Sequence, residues 1–506
     1  MESCFSFFSR RMALAHLAII FALGMTALAT VGCSRAEPGA LQAAVQELGA
    51  NEVNSIEYSG AGKWFQFGQF PNPTLPWPAF DVSNFTASLN YQTPAARVEM
   101  QRKQIVEPGR LRPTPVEQRP VQLVSGKYAW NMVIPAASAA GSAPTPQPQP
   151  ASVEERIAEI WTTPHGFLKA ATANNATSRS VNGGSEVSFT VDGKYRYVGR
   201  INGQNQVERV QTWIDNPILG DTPVEIVYSD YRDFGGVRFP TKIVRSQGGH
   251  PVLELTVAKA TANPDVKVDI PEQVRNAPPP TVRAEVEKLA NGVYYIRGGS
   301  HLSIAIDQSD HIVVVEGPQN EARSEVVITK VKETIPNKPI RYLINTHVHF
   351  DHSGGLRTYV DEGATIVTHE QNRPYYVQAW EMPRTINPDR LAQSKKNATF
   401  ETFTDKHVLT DQRRRIEIYP ISGNGHNDAF AMVYLPTEGI LIEADAYTPP
   451  AANAPPPAEP NPFSVNLNEN IQKRSLRVRQ IAALHGPGVT TMADLRSAIQ
   501  SRGKSQ

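Results

Sequence analysis

The segment "NTHVHFDHSGG", residues 345–355, contains three histidines and one aspartate within six positions: His347, His349, Asp351 and His352. Neutral imidazoles together with a carboxylate are ligands that a borderline-soft divalent cation such as zinc prefers. The run "IRYLINT" before the segment predicts a buried strand, and "SGGLRTYV" after it predicts the start of a helix. Alternate residues of an extended backbone point the same way, so His347 and His349 are expected to face one point. Asp351 and His352 then turn towards a second point, and the pattern predicts a metal site at a strand end.

Further candidate ligands follow other predicted strands. His426 lies in "SGNGHND" after the strand "RIEIYPI", and Asp445 ends the strand "GILIEAD". His485 lies in "IAALHGPG", where glycines allow a backbone to approach closely. Tyr447, two residues after Asp445, could donate to a developing oxyanion or could simply pack. A structural, packing or surface role is expected for four other histidines: His301, His311, His369 and His407.

The order His-x-His-x-Asp-His, Gly-His loop, strand-end Asp and late His-Gly resembles the metallo-β-lactamase-fold hydrolases over about residues 285–500. This resemblance implies a four-layer αββα sandwich with the site at one edge. It also implies two divalent metal ions, with zinc as the expected metal. The first ion would be bound by His347, His349 and His426. The second would be bound by Asp351, His352 and His485, with Asp445 bridging both.

Such a pair of cations shares a water whose pKa falls to about 7, which supplies hydroxide at neutral pH. Asp351 would orient this hydroxide and shuttle its proton, as the second catalytic residue beside Tyr447. No protein nucleophile is then needed, which agrees with the absence of a Gly-x-Ser-x-Gly motif. The pattern predicts an exported binuclear zinc hydrolase that cleaves an ester, lactone, thioester or amide bond in a small-molecule substrate.

Three alternatives stay open. An aspartate at position 445 argues against the β-lactamase subclasses that carry Cys or Ser at this point, but β-lactam hydrolysis remains one alternative. The second is an iron-dependent redox relative similar to persulfide dioxygenases. The third is a binding lipoprotein whose hydrolase domain is vestigial.

The N-terminal half has a different pattern. Residues 34–275 alternate apolar and polar residues between Gly, Pro, Asn and Asp turns, which predicts a mostly antiparallel β domain. "YSDYRDFGGVRFPTKI" resembles the sheet domains of periplasmic lipoprotein carriers, which implies a groove for an apolar ligand or an envelope partner; a packing or spacer domain is equally open. The Pro/Ala/Ser-rich stretch 134–152 predicts a loop. Proline-rich residues 276–284 predict a linker to a metallo-β-lactamase-fold domain at 285–506.

The first 33 residues combine a basic start, an apolar run and small residues before "TVGC", which is typical of a secretory signal. Cys33 stands where a bacterial lipoprotein is acylated, so a periplasmic protein or a membrane-anchored lipoprotein is expected. The apolar run is also long enough for a single membrane anchor. Cys4 and Cys33 are the two cysteines, so no disulfide is expected after the leader. Lys+Arg 50 against Asp+Glu 49 gives a charge of +1, and no nucleic-acid partner is predicted.

Overall fold

The computed structural model describes residues 39–133, 142–450 and 459–500. Gly39–Gln506 forms one compact unit. The predicted leader, with Cys4 and Cys33, lies outside the described residues, so export and lipidation stay predictions. Among the described residues, no helix has the length and apolar character to cross a membrane.

The N-terminal part is one antiparallel sheet of thirteen strands, counted over the described residues. Its strands are β1 (Ser55–Phe65), β2 (Ala79–Asn90), β3 (Ala95–Gln104), β4 (Val121–Ser125), β5 (Tyr128–Val133), β6 (Thr145–Pro148), β7 (Thr177–Val181), β8 (Gly184–Val191), β9 (Tyr195–Asn202), β10 (Val207–Asn216), β11 (Gly220–Asp233), β12 (Arg238–Gln247) and β13 (His250–Ala262). The order is β6-β5-β4-β3-β2-β1-β13-β12-β11-β10-β9-β8-β7. Burial alternates along β11 because successive side chains of a strand face opposite sides. A large, mostly antiparallel sheet therefore precedes the C-terminal region, as predicted.

One part of the predicted loop at 134–152 is a strand. Thr145–Pro148 forms β6 and pairs with β5 at one edge of the sheet. Proline cannot donate a backbone hydrogen bond, and an edge strand is where a sheet tolerates it. The composition of the stretch therefore gave the wrong prediction for these four residues, while 134–141 lie outside the described residues.

Three helices pack against the N-terminal sheet: α1 (Ala40–Leu48), α2 (Val153–Thr162) and α3 (Pro164–Ala173). A short 3-10 helix, Pro150–Ser152, precedes α2. Phe167 of α3 lies against β9 at Gly199, where an added Cβ would come within 2.1 Å of the phenyl ring. Only glycine leaves space for this ring, which fixes α3 on the sheet. The small helix α4 (Glu272–Arg275) follows the last strand, and residues 276–284 have almost no regular structure.

The C-terminal part contains two further sheets. The seven-stranded sheet, in the order given, consists of β14 (Glu285–Ala290), β15 (Val293–Arg297), β16 (Ser303–Asp307), β17 (Ile312–Val315), β18 (Ile340–Ile344), β19 (Thr365–His369) and β20 (Phe400–Phe403). The six-stranded sheet consists of β21 (His407–Thr410), β22 (Arg415–Pro420), β23 (Ala431–Leu435), β24 (Ile440–Glu443), β25 (Gln480–Ala483) and β26 (Val489–Thr490). Strands β17 to β20 run parallel, as do β24 and β25.

Helices cover the outer faces of these sheets. They are α5 (Glu321–Thr334), α6 (Phe350–Ser353), α7 (Leu356–Glu362), α8 (Arg373–Trp380), α9 (Arg390–Ser394), α10 (Pro462–Lys473) and α11 (Met492–Ile499), with a 3-10 helix at Glu370–Asn372. One core lies between the sheets, where Ile306 and Val315 meet Ile418 and Val433. A second core lies between the seven-stranded sheet and the helices α5 and α7. This is the predicted αββα sandwich.

Candidate metal centre

The predicted ligands lie where strands of both C-terminal sheets end. His347 follows β18, and His349 directly precedes α6. Strands β24 and β25 run parallel with Glu443 opposite Ala483. Asp445 and His485 each follow two residues later, so the strand register brings them side by side.

Asp445 lies at the middle of the cluster. Its Oδ2 is 2.9 Å from His426 Nε2, 3.2 Å from His352 Nε2 and 3.4 Å from His347 Nε2. Its Oδ1 is 2.9 Å from His485 Nε2. Burial raises the pKa of Asp445, but the imidazoles of His352 and His426 outweigh burial and lower this pKa well below its usual range. The carboxylate therefore stays ionised and faces histidines on two sides.

The donor atoms form two adjoining groups, and within each group they lie within 4.8 Å of one another. The structure thus brings together all seven predicted ligands and adds His301. The first group is His347, His349, His426 and Asp445, and the second is His301, Asp351, His352 and His485.

Glu316 holds two of the imidazoles from behind. Its buried carboxylate accepts from the Thr346 hydroxyl at 2.6 Å and from His352 Nδ1 at 3.0 Å. Because Thr346 Oγ1 gives its hydrogen to Glu316, it can accept one from His347 Nδ1, 3.0 Å away. Both rings then direct Nε2 towards Asp445. Burial, followed by the neighbouring His352, lowers the pKa of His347 to about 4, so its Nε2 carries a lone pair near neutral pH.

His352 differs in its charge. Burial lowers the pKa of His352, but Asp445 and Glu316 outweigh burial and raise it well above its usual value. A cation binds only the neutral ring, so metal binding at this position must release a proton.

His349 provides the test of whether the residues fit a metal. Its Nε2 donates to the backbone oxygen of Phe70 at 2.9 Å, which leaves the lone pair on Nδ1. That Nδ1 is buried and has no hydrogen-bond partner among the described residues. Burial, with His347 and His426, lowers the pKa of His349 well below its usual value. A neutral, buried nitrogen without a partner is costly unless something binds it, and a divalent cation fits.

Asp351 is held through both oxygens. Oδ1 accepts from Gln69 Nε2 at 2.8 Å, and Oδ2 lies 3.1 Å from His301 Nε2 and 3.9 Å from His352 Nε2. Burial raises the pKa of Asp351, but the hydrogen bond from His301 and the charge of His352 outweigh burial and leave it below its usual range. The carboxylate is therefore ionised near neutral pH.

The N-terminal sheet contributes to this site through the β1–β2 connection, residues 66–78. This connection carries Gln69 and Phe70, and its Gly68 oxygen accepts from the backbone N–H of Phe350 at 3.2 Å. A Cβ at Gly68, where φ is +73°, would come within 2.4 Å of the Phe350 ring. Asn72 of the same connection donates to Asp428 at 3.1 Å. The connection is thus fixed against the metal-binding segments.

Tyr447 is not brought into the cluster. It is 3 % exposed in the core between the sheets, and its hydroxyl is hydrogen-bonded to Thr490. Its backbone N–H donates to Glu443 Oε2 at 3.0 Å. The expected oxyanion role is therefore not supported by its position.

Three of the four histidines expected to have structural roles lie outside both groups. His311 contacts Asp310 at 2.6 Å, and His407 contacts Glu401 at 3.1 Å. His369 caps the 3-10 helix after β19 by accepting from Gln371 N at 3.4 Å. His301 is placed differently, because its side chain is 12 % exposed and its donor atom lies in the second group. The predicted strand that begins directly after "GGSH" was the sequence signal that could have indicated this position of His301.

Residues 296–450 match the family model described as the metallo-beta-lactamase superfamily. A stretch of 176 residues is 25% identical to the 2,4-dinitroanisole O-demethylase subunit alpha of Nocardioides sp. (strain JS1661), covering 34% of this chain and 48% of that one. The chain thus spans about half the length of this curated relative.

Solved structures with a detectable likeness include the metallo-beta-lactamase from Pontibacter korlensis (17% identity, TM-score 0.32, 42% of this chain and 96% of that chain). They also include the flavodiiron protein from Giardia intestinalis (16% identity, TM-score 0.33, 42% of this chain and 57% of that chain). The C-terminal region of this chain, matched by the superfamily model and folded as an αββα sandwich, is a metallo-β-lactamase-fold domain.

Proposed function

We propose that this protein is a hydrolase that holds two divalent cations, zinc being the expected metal, and cleaves an ester, lactone, thioester or amide bond in a small molecule. The observation that carries the proposal is the position of Asp445. Its Oδ2 lies near His347 and His426 of the first group and near His352 of the second, and its Oδ1 lies near His485, so this carboxylate is placed where two cations could share it.

The protein's own residues prepare the site. Bound cations would polarise the scissile carbonyl and acidify a water molecule. Glu316 and Thr346 fix the direction of two imidazoles, and Phe70 fixes a third. Gln69 holds one oxygen of Asp351 and leaves the other directed at the cluster. The low pKa of Asp351 suits an orienting carboxylate, while its proton-shuttle role stays a prediction.

A substrate panel with and without chelator tests the reaction class. The panel contains an ester, a lactone, a thioester, an amide, a β-lactam and, because one relative is an O-demethylase, an aryl methyl ether. We expect protein purified without added metal to contain zinc, to hydrolyse at least one carbonyl substrate and to lose that activity to chelator. His347→Ala and His426→Ala should remove it, whereas His311→Ala, outside both groups, should keep it.

Two results would contradict the proposal. Iron with one metal position empty would favour the redox relative. Full hydrolysis by metal-free protein would exclude a metal-dependent reaction altogether.

We also propose that the chain is exported and anchored to a bacterial membrane by lipidation of Cys33, or released into the periplasm. The support is the basic, apolar and small-residue order of the first 33 residues. Labelling of cells with a palmitate analogue should mark the wild type and the Cys4→Ser control but not Cys33→Ser. An unlabelled wild type found in the cytosol would contradict both export and lipidation.

A further inference from the structure

His301 lies in a fixed position beside the second group. It precedes β16, and its backbone forms an antiparallel bridge with His485. The N–H of Leu302 donates to the oxygen of Leu484 at 3.0 Å, which ties the two segments together. The rings of His301 and His485 are 4.0 Å apart between centroids. The imidazole of His301 is therefore held by the backbone of both segments.

Its nitrogen lies at the spacing of a shared cation. Two neighbouring donor atoms bound at about 2.1 Å to one cation are about 3.0 Å apart when they meet at a right angle, as they do where five or six donors surround the cation. His301 Nε2 is 3.1 Å from Asp351 Oδ2, and His352 Nε2 is 2.9 Å from His485 Nε2. We propose that His301 is an additional ligand of the second cation, beside Asp351, His352 and His485. This inference rests on the proposed function, because it needs the two-cation centre.

The groups behind His301 fit this role. Its Nδ1 is 2.8 Å from the hydroxyl oxygen of Ser300, which also accepts from Gln319 Nε2 at 3.1 Å. An Nδ1–H that donates to Ser300 leaves the lone pair on Nε2, directed at the cluster.

The added imidazole distinguishes the two cation positions. The first has three histidines and a share of Asp445, whereas the second has three histidines, Asp351 and a share of Asp445. The second position thus has more donor atoms and is expected to bind its cation more tightly than the first.

The competing explanation is that His301 only donates a hydrogen bond to Asp351. Three variants of the full chain separate the two roles. His301→Ala removes both the ligand and the donor. His301→Gln keeps an N–H donor near the Nε2 position but removes the imidazole. Gln69→Ala removes a hydrogen bond to the other oxygen of Asp351 and leaves the imidazole in place.

Metal-free proteins are titrated with Co²⁺ while visible absorption, which reports the ligand number of each cation, is recorded. Affinity for Zn²⁺ is measured by competition with a chromophoric chelator, and circular dichroism checks folding. We expect the wild type to bind two equivalents. Both His301 variants should bind one equivalent at least about tenfold more weakly and give an altered Co²⁺ spectrum for it. Gln69→Ala should weaken this equivalent as well but keep the wild-type ligand number that the Co²⁺ spectrum reports.

Each outcome has one meaning. Wild-type spectrum and affinity in His301→Gln would overturn the ligand role and leave a hydrogen bond only. Unchanged spectra in both His301 variants would overturn it as well. A wild type that binds fewer than two equivalents would instead overturn the two-cation centre of the proposed function.

Discussion

Three imidazoles of the centre are oriented by hydrogen-bond partners behind them. Thr346 and Glu316 direct the Nε2 atoms of His347 and His352 towards Asp445, and the Phe70 oxygen directs Nδ1 of His349. Such partners fix both the ring orientation and the nitrogen that carries the proton. These buried rings are therefore held in orientations that allow them to bind a cation.

Thr346→Val tests this arrangement at a single atom. Valine keeps the shape of the side chain but removes the oxygen that accepts from His347 Nδ1. We expect Zn²⁺ affinity to fall by about 10- to 100-fold, the range for loss of such a partner. Competition with a chromophoric chelator measures the change. Thr172→Val, which removes a hydroxyl from α3, is the matched control, and equal affinity in both variants would contradict the role of Thr346.

The clustering of the candidate ligands could be predicted from the sequence because each follows a run that is recognisable as a strand. The partners that hold them could not, since Gln69 and Phe70 contact residues about 280 positions further along the chain. Of the two roles that the sequence left open for Tyr447, its position favours packing, because the ring is buried in the core between the sheets.

At the scale of elements, the β1–β2 connection is the piece of the N-terminal sheet that reaches the centre. It crosses to α6, where Gly68 contacts Phe350, and it forms one hydrogen bond with a candidate ligand in each group: Gln69 donates to Asp351, and Phe70 O accepts from His349. The aromatic, glycine and proline residues of "FQFGQFPNPTLPWP" indicate a connection between strands, but their pattern does not predict which residues this connection contacts.

Gln69→Ala tests the contribution of this connection. Loss of the hydrogen bond frees Asp351 Oδ1 and lets the carboxylate rotate. We expect the second Zn²⁺ equivalent to bind up to about tenfold more weakly, with the first unaffected. Asn72→Ala removes a hydrogen bond from the same connection to Asp428, outside the metal groups, and serves as the control. Equal Zn²⁺ affinities for the two variants would show that the connection acts only as packing.

The element types themselves followed from the sequence where the periodicity was strong. Alternation predicted the antiparallel sheet, and strands alternating with helices predicted the layered C-terminal region. The exception was β6, since proline composition conceals an edge strand.

For the whole molecule, the two sheet regions contact each other away from the centre as well. Asp221 accepts from the backbone N–H groups of Thr385 and Ile386, at 2.8 Å and 3.0 Å, and Arg384 donates to the oxygen of Ile218 at 2.7 Å. A proline-rich linker at 276–284 suggests two separate domains, but these buried contacts make one compact unit. The proposed domain boundaries remain predictions. The proline-rich composition of residues 276–284 indicates a linker, but it does not indicate which surfaces of the two sheet regions contact each other.

Acid should destabilise the metal-free protein through two of its buried histidines. Burial lowers the pKa of His165 to about 4, and the same effect acts on His347. In the unfolded chain these two histidines bind protons near pH 6.5, whereas in the folded chain they stay neutral down to about pH 4. Their contribution to the free energy of unfolding is therefore fully present above pH 6.5 and is lost as the pH falls towards 4. Between pH 7 and pH 5, His165 alone should remove about 2 kcal/mol from the free energy of unfolding.

Urea unfolding at the two pH values measures this loss. His165→Gln retains a donor for the Leu48 oxygen but has no titrating ring, so its stability should fall less over the same interval. An identical pH dependence in the wild type and the variant would contradict the assignment.

The central claim is that two cations are caged by groups that meet at Asp445. Anomalous diffraction at the zinc absorption edge, from crystals of the metal-loaded protein, tests it most directly. We predict two peaks, one bounded by His347, His349 and His426 and the other by Asp351, His352 and His485, with Asp445 contacting both. A single peak, or an Asp445 carboxylate directed away from both positions, would contradict the account.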